Sequence, residues 1–365
     1  MTLVNKLVIQ NLTHRPIRTL LCVFAIALQV TMILTLVGVS EGTLSDAAQR
    51  SRRVGADIVI RPPNSSILSF GYGFSAGLLR FVEKQPHVRS AAGILVQPLS
   101  GLGNSVNGLD LESFNRLNGG FRLVSGRVFQ RDDEVMVDDY YARQHKVRAG
   151  DTVDLLNHKW RVSGVVQSGM LSRILVPLHV LQDLTANSGK VSILYVRLDN
   201  PANTKEVMAD LKSKLENYPI YSMEDLVAAM TIDNVPMLRP FINLVIGIGV
   251  VVGFLVVFQC MYTAVLERTR EIGTLKALGA SRIYVLNVLL RESAAMTVAG
   301  AILGILFTYG TRFFISKLPS PLIQEIVPGW WPIAFALALF GGLLGALYPG
   351  LKAANQDVIE SLSYD

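Results

Sequence analysis

Three groups of residues in this sequence could carry chemistry. The first is a run of carboxylates, Asp132, Asp133, Glu134, Asp138 and Asp139, the kind of cluster that can hold a cation or divide acid and base roles. No histidine or glycine is spaced to complete a site, so these side chains are expected to flank a short strand, with no metal and no catalytic group. The second is Cys22 and Cys260. Both lie within apolar runs and outside any C-x-x-C or Cys/His pattern, and are expected to be small packing residues. The third is the stretch 267–281, in which Glu267, Arg268, Arg270 and Glu271 precede Ile272, Leu275, Lys276 and Leu278, closing on Gly279-Ala280-Ser281. It reads as a short helix with a charged start and an apolar stripe of Ile272, Leu275 and Leu278. Gly279 is its stop, and Ser281 caps the helix that follows. Such a helix suits docking in a partner's groove, though an ordinary amphipathic connector has the same pattern. No G-x-x-x-x-G-K-[ST] loop occurs in the sequence, so no phosphate-loop nucleotide site is expected in it.

The elements that must position these residues are set by a membrane. Of the 365 residues, 50% are hydrophobic and only 17% charged, with a mean hydropathy of +0.39; an average soluble domain carries roughly 25% charged residues. The net charge of +6 accompanies no basic stripe interleaved with aromatics, which excludes a nucleic-acid role. Crossing a bilayer takes about 20 mostly apolar residues in helix. Four stretches qualify: 20–39, 241–265, 293–314 and 331–350. The first is longer than the ~7–15 residues of a signal-peptide core and has no A-x-A-like site after it.

Basic residues orient the chain. Lys6, Arg15 and Arg18 precede the first span, and Arg268, Arg270, Lys276, Arg282 and Arg291 fill the loop 266–292, whereas the loop 315–330 holds Lys317 alone. The positive-inside rule therefore places both termini, the 266–292 loop and the tail 351–365 in the cytoplasm. Trp330 and Trp331 then sit at the outer interface. Within 1–19, Leu3, Val4, Leu7, Val8 and Leu12 recur at helical spacing and predict an amphipathic helix lying in the cytoplasmic interface.

Residues 40–240 are then an extracytoplasmic α+β domain. Strands are expected at 56–61, 88–97, 134–137, 152–156, 160–166 and 191–198, with helices at 74–84 and 203–216. Asn157-His158 is the expected hairpin turn. The first span should continue as a helical stalk over 41–53. A second stalk is expected to open at a Ser222/Asp225 cap and run toward Leu238, kinked by Pro236 and Pro240.

The run ERTREIGTLKALGAS over 267–281 resembles the signature of FtsX-like permeases, the MacB-type (type VII) ABC transporter subunits that include the membrane part of MacB and the LolC/LolE pair. Glu292 followed by Gly300 and Gly304 is similar to the family's third-span pattern. Tyr348-Pro349-Gly350-Leu351-Lys352-Ala353-Ala354 with Asp357 and Glu360 resembles its C-terminal motif, although Val358 stands where many members have proline. Gly55-Ala56-Asp57, and Gly126-Arg127-Val128-Phe129 through Gly164-Val165-Val166, resemble MacB periplasmic sequences. The resemblance implies that 267–281 is the coupling helix contacting the ATPase. It also implies a dimer of permease subunits bound to two ABC ATPase subunits, with ATP and Mg held by those partners and no cofactor in this chain. A chain that begins at the interfacial helix is closer to the split arrangement of LolC and LolE than to the fused ATPase of MacB. Gly249/Gly253, Gly300/Gly304 and Gly341/Gly345 allow close helix approach, within the chain or against a second copy.

No paired-charge path crosses the spans, which argues against a pore or an ion-coupled carrier. The expected work is mechanotransmission: ATP-driven motion carried to the outer domain, to export a periplasmic substrate through an adaptor or outer-membrane channel or to extract an outer-leaflet cargo. The alternative is a regulator resembling the division protein FtsX, which activates a cell-wall hydrolase without transport. No residue in 40–240 forms a recognisable substrate site.

Overall fold

The computed structural model describes residues 10–11, 13–14, 16–63, 65, 73–99, 105–235, 237–318 and 322–356. Most of the amphipathic segment expected over 3–12 lies outside the described residues, as do Pro236, Asp357 and Glu360. Helix α1, Pro16–Arg53, ends on Arg50, Arg52 and Arg53, cations that favour a helix C-terminus. It runs on past the first apolar span, and Gly55 follows it with φ +78°. The chain divides into two compact units: residues 1–41, 237–316 and 324–365 form a membrane unit, and residues 42–236 with 317–323 form a sheet unit.

The sheet unit is α+β. Its elements in chain order are β1 (Ile58–Ile60), β2 (Phe74–Ser75), α2 (Gly77–Glu83), β3 (Val88–Pro98), β4 (Ser105–Leu109), α3 (Leu111–Asn118), β5 (Leu123–Gly126), β6 (Glu134–Asp138), α4 (Asp139–His145), β7 (Thr152–Leu155), β8 (His158–Val166), β9 (Ile174–Pro177), α5 (Leu178–Leu184), β10 (Lys190–Val191), β11 (Ile193–Leu198), α6 (Thr204–Lys214), β12 (Ile220–Ser222) and α7 (Met223–Ala228). A mixed sheet runs in the order β12-β1-β11-β3-β4-β9-β6-β8-β5, with β7 on β8; β4–β9 and β6–β8 are its parallel pairs. Period-two alternation sets its faces. In β3, Ala92, Ile94 and Val96 join one core with Val59, Phe114 and Leu117, while Ala91 and Leu95 point into the cores on the opposite face.

Two expectations are corrected here. The β7–β8 hairpin turns at Leu156-Asn157, both at φ +57°, while His158 pairs with Leu155 as the first residue of β8. A two-residue loop with both residues at positive φ matches the twist of the flanking strands. The expected cap does form, with Ser222 Oγ accepting from the Asp225 N–H at 3.0 Å, but the helix ends at Ala228 and does not run toward Leu238. A turn at Thr231–Asn234 and Met237 at φ +66° intervene before the second span.

The membrane unit holds the first part of α1 with α8 (Leu238–Glu267), α9 (Thr269–Ala277), α10 (Arg282–Lys317) and α11 (Trp331–Asn355). Four of these helices are long and apolar enough to cross a membrane. Lipid is as apolar as leucine, so packing and hydrogen bonds rather than the hydrophobic effect hold such helices together. Ile26, Val30 and Ile33 of α1 meet Val257 and Met261 of α8, Met296 and Ala301 of α10 and Ala338 of α11 in one core. Thr31 Oγ1 donates to the Gly304 carbonyl at 3.0 Å, and Ser293 Oγ to the Gly342 carbonyl at 2.9 Å. Phe241, Leu244, Ile248, Val251, Leu306 and Phe340 face outward.

The cysteines do more than pack. Cys22 of α1 and Cys260 of α8 are joined as a disulfide, with Cα atoms 6.6 Å apart, a normal span for such a bond. Their separation of 238 residues hid the pairing from the sequence.

Candidate functional site

The 267–281 stretch is a corner of the membrane unit. The α8 helix stops at Glu267, Arg268 breaks the helical path at φ −117°, and α9 follows at once. The far end of α9 closes as the sequence indicates. Gly279, at φ +96°, donates its N–H to the Lys276 carbonyl and the Ala280 N–H goes back to Leu275, each at 3.0 Å, which satisfies two of the last carbonyls of the helix. Ser281 Oγ then accepts from the Tyr284 N–H at 3.2 Å and caps α10.

Sequence-predicted coupling residues separate into two faces. Arg268, Ile272 and Lys276 turn inward. Arg268 is buried; its Nη1 donates to Glu292 Oε2 at 3.4 Å and its Nη2 to the Asn11 carbonyl at 3.2 Å. Glu292, 1% exposed, also faces Asn11 Nδ2 at 3.5 Å and Arg18 Nη2 at 3.9 Å. Ile272 sits in the bundle core. The Nζ of Lys276 donates to the Ala354 carbonyl at 3.0 Å and to the Gln356 carbonyl, taking up acceptors that the end of α11 leaves open.

Arg270, Glu271, Leu275 and Leu278 turn outward. Leu278 is 81% exposed and Leu275 37%. Two further apolar residues outside the motif are also exposed: Ile283, 77%, and Leu266, 48%. Glu267 is held on the rim by Arg18 Nη1 at 3.0 Å.

The paired glycines serve helix contacts inside the chain. A Cβ at Gly300 would lie 2.7 Å from the Ile26 Cβ, one at Gly304 2.7 Å from the Ala27 carbonyl oxygen, and one at Gly345 2.7 Å from that of Phe254. Gly249 and Gly253 lie against Met32 and Gln29 of α1. Gly341 is looser, with a Cβ finding ordinary contact at 3.5 Å from the Val250 carbonyl oxygen.

The carboxylate run in the sheet unit is distributed among structural partners. Glu134 receives both η nitrogens of Arg127, one of them at 2.8 Å, and the Gln130 N–H at 2.8 Å. The Arg127 hydrogen bond holds its carboxyl down at a pKa of about 2. Asp138 caps α4 through the Tyr141 N–H at 2.6 Å, and burial pushes its carboxyl up. Asp139 accepts from the Ser168 N–H at 2.8 Å, Asp132 meets His179 Nε2 at 2.8 Å, and the Asp133 carbonyl accepts from the Arg161 N–H at 2.8 Å. Among the described residues no group of three or more His, Cys, Asp or Glu is arranged to hold a metal ion. Gly126 and Gly164 of the second resemblance stretch are direct partners across β5 and β8.

Two family models match successive parts of the chain. A family model described as the MacB-like periplasmic core domain matches residues 19–214, and one described as the FtsX-like permease C-terminal matches residues 243–358. The ABC transporter permease YknZ of Bacillus subtilis (strain 168) is 29% identical over 230 residues, covering 59% of this chain and 55% of that one. The macrolide export ATP-binding/permease protein MacB of Escherichia coli O6:K15:H31 is 24% identical over 393 residues, covering 96% of this chain and 59% of that one. This chain thus spans little more than half the length of either relative. The periplasmic region of MacB from Actinobacillus actinomycetemcomitans aligns at 18% identity and a TM-score of 0.37, over 49% of this chain and 94% of that structure. With its periplasmic core model covering 19–214 and its permease model covering 243–358, the chain belongs to the MacB-like, FtsX-type family of ABC transporter permeases.

Proposed function

We propose that this chain is a non-catalytic membrane subunit that transmits motion from a separate ABC ATPase to the domain on the other side of the inner membrane. ATP and Mg belong to the partner, and two copies of the ATPase serve a pair of permease subunits. Both termini and α9 face the cytoplasm, and residues 40–240 face outward. Closure of the ATPases shifts α9, and the outer domain uses that motion to expel a periplasmic substrate or extract one from the outer leaflet. A relative named for macrolide export is a precedent for outward work. An adaptor or outer-membrane channel would complete the export route.

One observation carries the proposal. The inner side chains of α9 are engaged by its own bundle, while Leu275 and Leu278, with Leu266 and Ile283 on either side in sequence, stay exposed near Arg270 and Glu271. Membrane cores explain outward leucines in the spans but not on a polar corner flanked by arginines. An amphipathic helix of this form docks in a groove through spaced apolar anchors. The test is co-purification of a co-expressed ABC ATPase subunit with the full chain. Leu278→Asp removes about 1.5–3 kcal/mol of burial and adds the cost of a buried carboxylate. The ATPase should dissociate from Leu278→Asp and Leu275→Asp, and remain with Glu271→Ala, because an exposed ion pair is worth about 1 kcal/mol or less. Retention of the ATPase by both leucine variants would refute docking at α9.

A further inference from the structure

We infer that the Arg268–Glu292 pair, with Lys276 at the opposite end of α9, is the joint through which load on α9 enters α10 and α11. Glu292 and Arg268 are then positioning residues for the coupling element. The inference rests on the proposal that the ATPase bears on α9.

Geometry supports it. Arg268 occupies the break between α8 and α9, so its guanidinium moves with the corner and not with either helix alone. That guanidinium reaches the buried Glu292 carboxylate on α10 and the Asn11 carbonyl, with Glu271 at 3.8 Å. Burying a carboxylate is costly even with Arg268, Arg18 and Asn11 around it, and well-packed apolar groups of the same volume often hold a bundle at least as well. Stability alone therefore gives no reason for charge at this point, whereas a short-range, oriented contact between two elements that must move together does. Next along α10, Ser293 donates to the Gly342 carbonyl of α11, and Thr297 lies against Gly342. Lys276 closes the figure by binding the final carbonyls of α11. The α9, α10 and α11 helices thus form a triangle with a polar tie along each side, and α9 cannot tilt without loading both spans.

Hydrogen–deuterium exchange on the full chain, alone and with the ABC ATPase subunit bound, tests the joint. Glu292→Gln should speed exchange across Thr269–Ala277 by about tenfold or more, with the sheet unit unchanged. The ATPase should still co-purify. Trapping wild type with ATP and vanadate should alter exchange across Arg282–Lys317, and Glu292→Gln should lose that response. Arg268→Gln should give the same signature, and the double variant should be no worse than either single one, because the two residues act through each other. Unchanged α9 exchange in Glu292→Gln, or additive effects in the double variant, would overturn the joint. Should Glu292→Gln fail to accumulate, Lys276→Met at the half-buried end carries the same test: exchange rises over residues 274–277 with the ATPase still bound, and unchanged exchange overturns the inference. Docking and joint fail separately. If Leu278→Asp releases the ATPase while Glu292→Gln is silent, only the joint is wrong; if Leu278→Asp keeps the ATPase, the docking proposal is wrong whatever α9 exchange shows.

Discussion

Arg127 and Glu134 face each other seven residues apart, and the buried Glu134 carboxylate takes both η nitrogens of the Arg127 guanidinium. The Gln130 and Arg131 N–H groups add bonds at 2.8 and 3.3 Å. This pair fixes the loop between β5 and β6.

Its pH dependence follows from the depressed pKa of about 2, caused first by the Arg127 hydrogen bond. An unfolded glutamate titrates near about 4.3. A folded-state value below the unfolded one means that the stability is fully present above the unfolded pKa and is lost as pH falls toward the folded one. Thermal melts of the full chain should therefore show the melting temperature of wild type dropping faster than that of Glu134→Gln between about pH 4.3 and pH 2. At neutral pH Glu134→Gln should melt several degrees lower. Parallel pH profiles for the two proteins would contradict the assignment.

The Cys22–Cys260 disulfide predicts a simple chemical signature. Alkylation of the denatured, unreduced chain should add no iodoacetamide group, and reduction first should add one at each cysteine. A disulfide typically stabilises by about 2–4 kcal/mol. The double change Cys22→Ala, Cys260→Ala should accordingly lower thermal stability in detergent, and full alkylation without reductant would refute the bond.

Helix approach can be tested with two glycines of α10. A Cβ at Gly304 would sit 2.7 Å from the Ala27 carbonyl oxygen and from the Val30 Cβ, whereas nothing lies within 4 Å of one at Gly310. Overpacking costs about 1–3 kcal/mol. Gly304→Ala should destabilise the detergent-solubilised chain by that order, and Gly310→Ala should leave it unchanged or slightly firmer. Equal melting temperatures for the two variants would mean that α1 and α10 are not so closely packed.

Local signals were the ones legible in the sequence. The four apolar spans, the Gly279 stop, the Ser281 cap and the Ser222 cap each depend on a few adjacent residues. Asp110, which caps α3 through the Ser113 N–H at 2.9 Å, carried the same kind of signal unread, as did Asp138 before α4. The apolar stripe of α9 shows where local pattern runs out. At about 100° per residue, a step of three turns a stripe back by about 60°, so Ile272 and Leu278 end about 120° apart. That rotation carries the stripe from the bundle core at Ile272 to the surface at Leu278. Which of the two faces was buried depended on Glu292 and Ala354, residues distant in sequence, and so did the meeting of Cys22 with Cys260.

The orientation of the proposed subunit rests on charge. Five basic residues, Arg268, Arg270, Lys276, Arg282 and Arg291, lie between the second and third spans, against Lys317 between the third and fourth. Translocating each cation across the membrane is disfavoured, and the proposal that α9 lies inside rests on this bias. Two exposed positions report on the two sides: Ser188 beside β10 and Thr274 on α9. In a Cys22→Ala, Cys260→Ala background, Ser188→Cys should react with a membrane-impermeant maleimide in intact spheroplasts. Thr274→Cys should react only after lysis. If Thr274→Cys were labelled from outside, α9 would face away from any cytoplasmic ATPase, and the proposed coupling would fail at its first step whatever the leucine variants did.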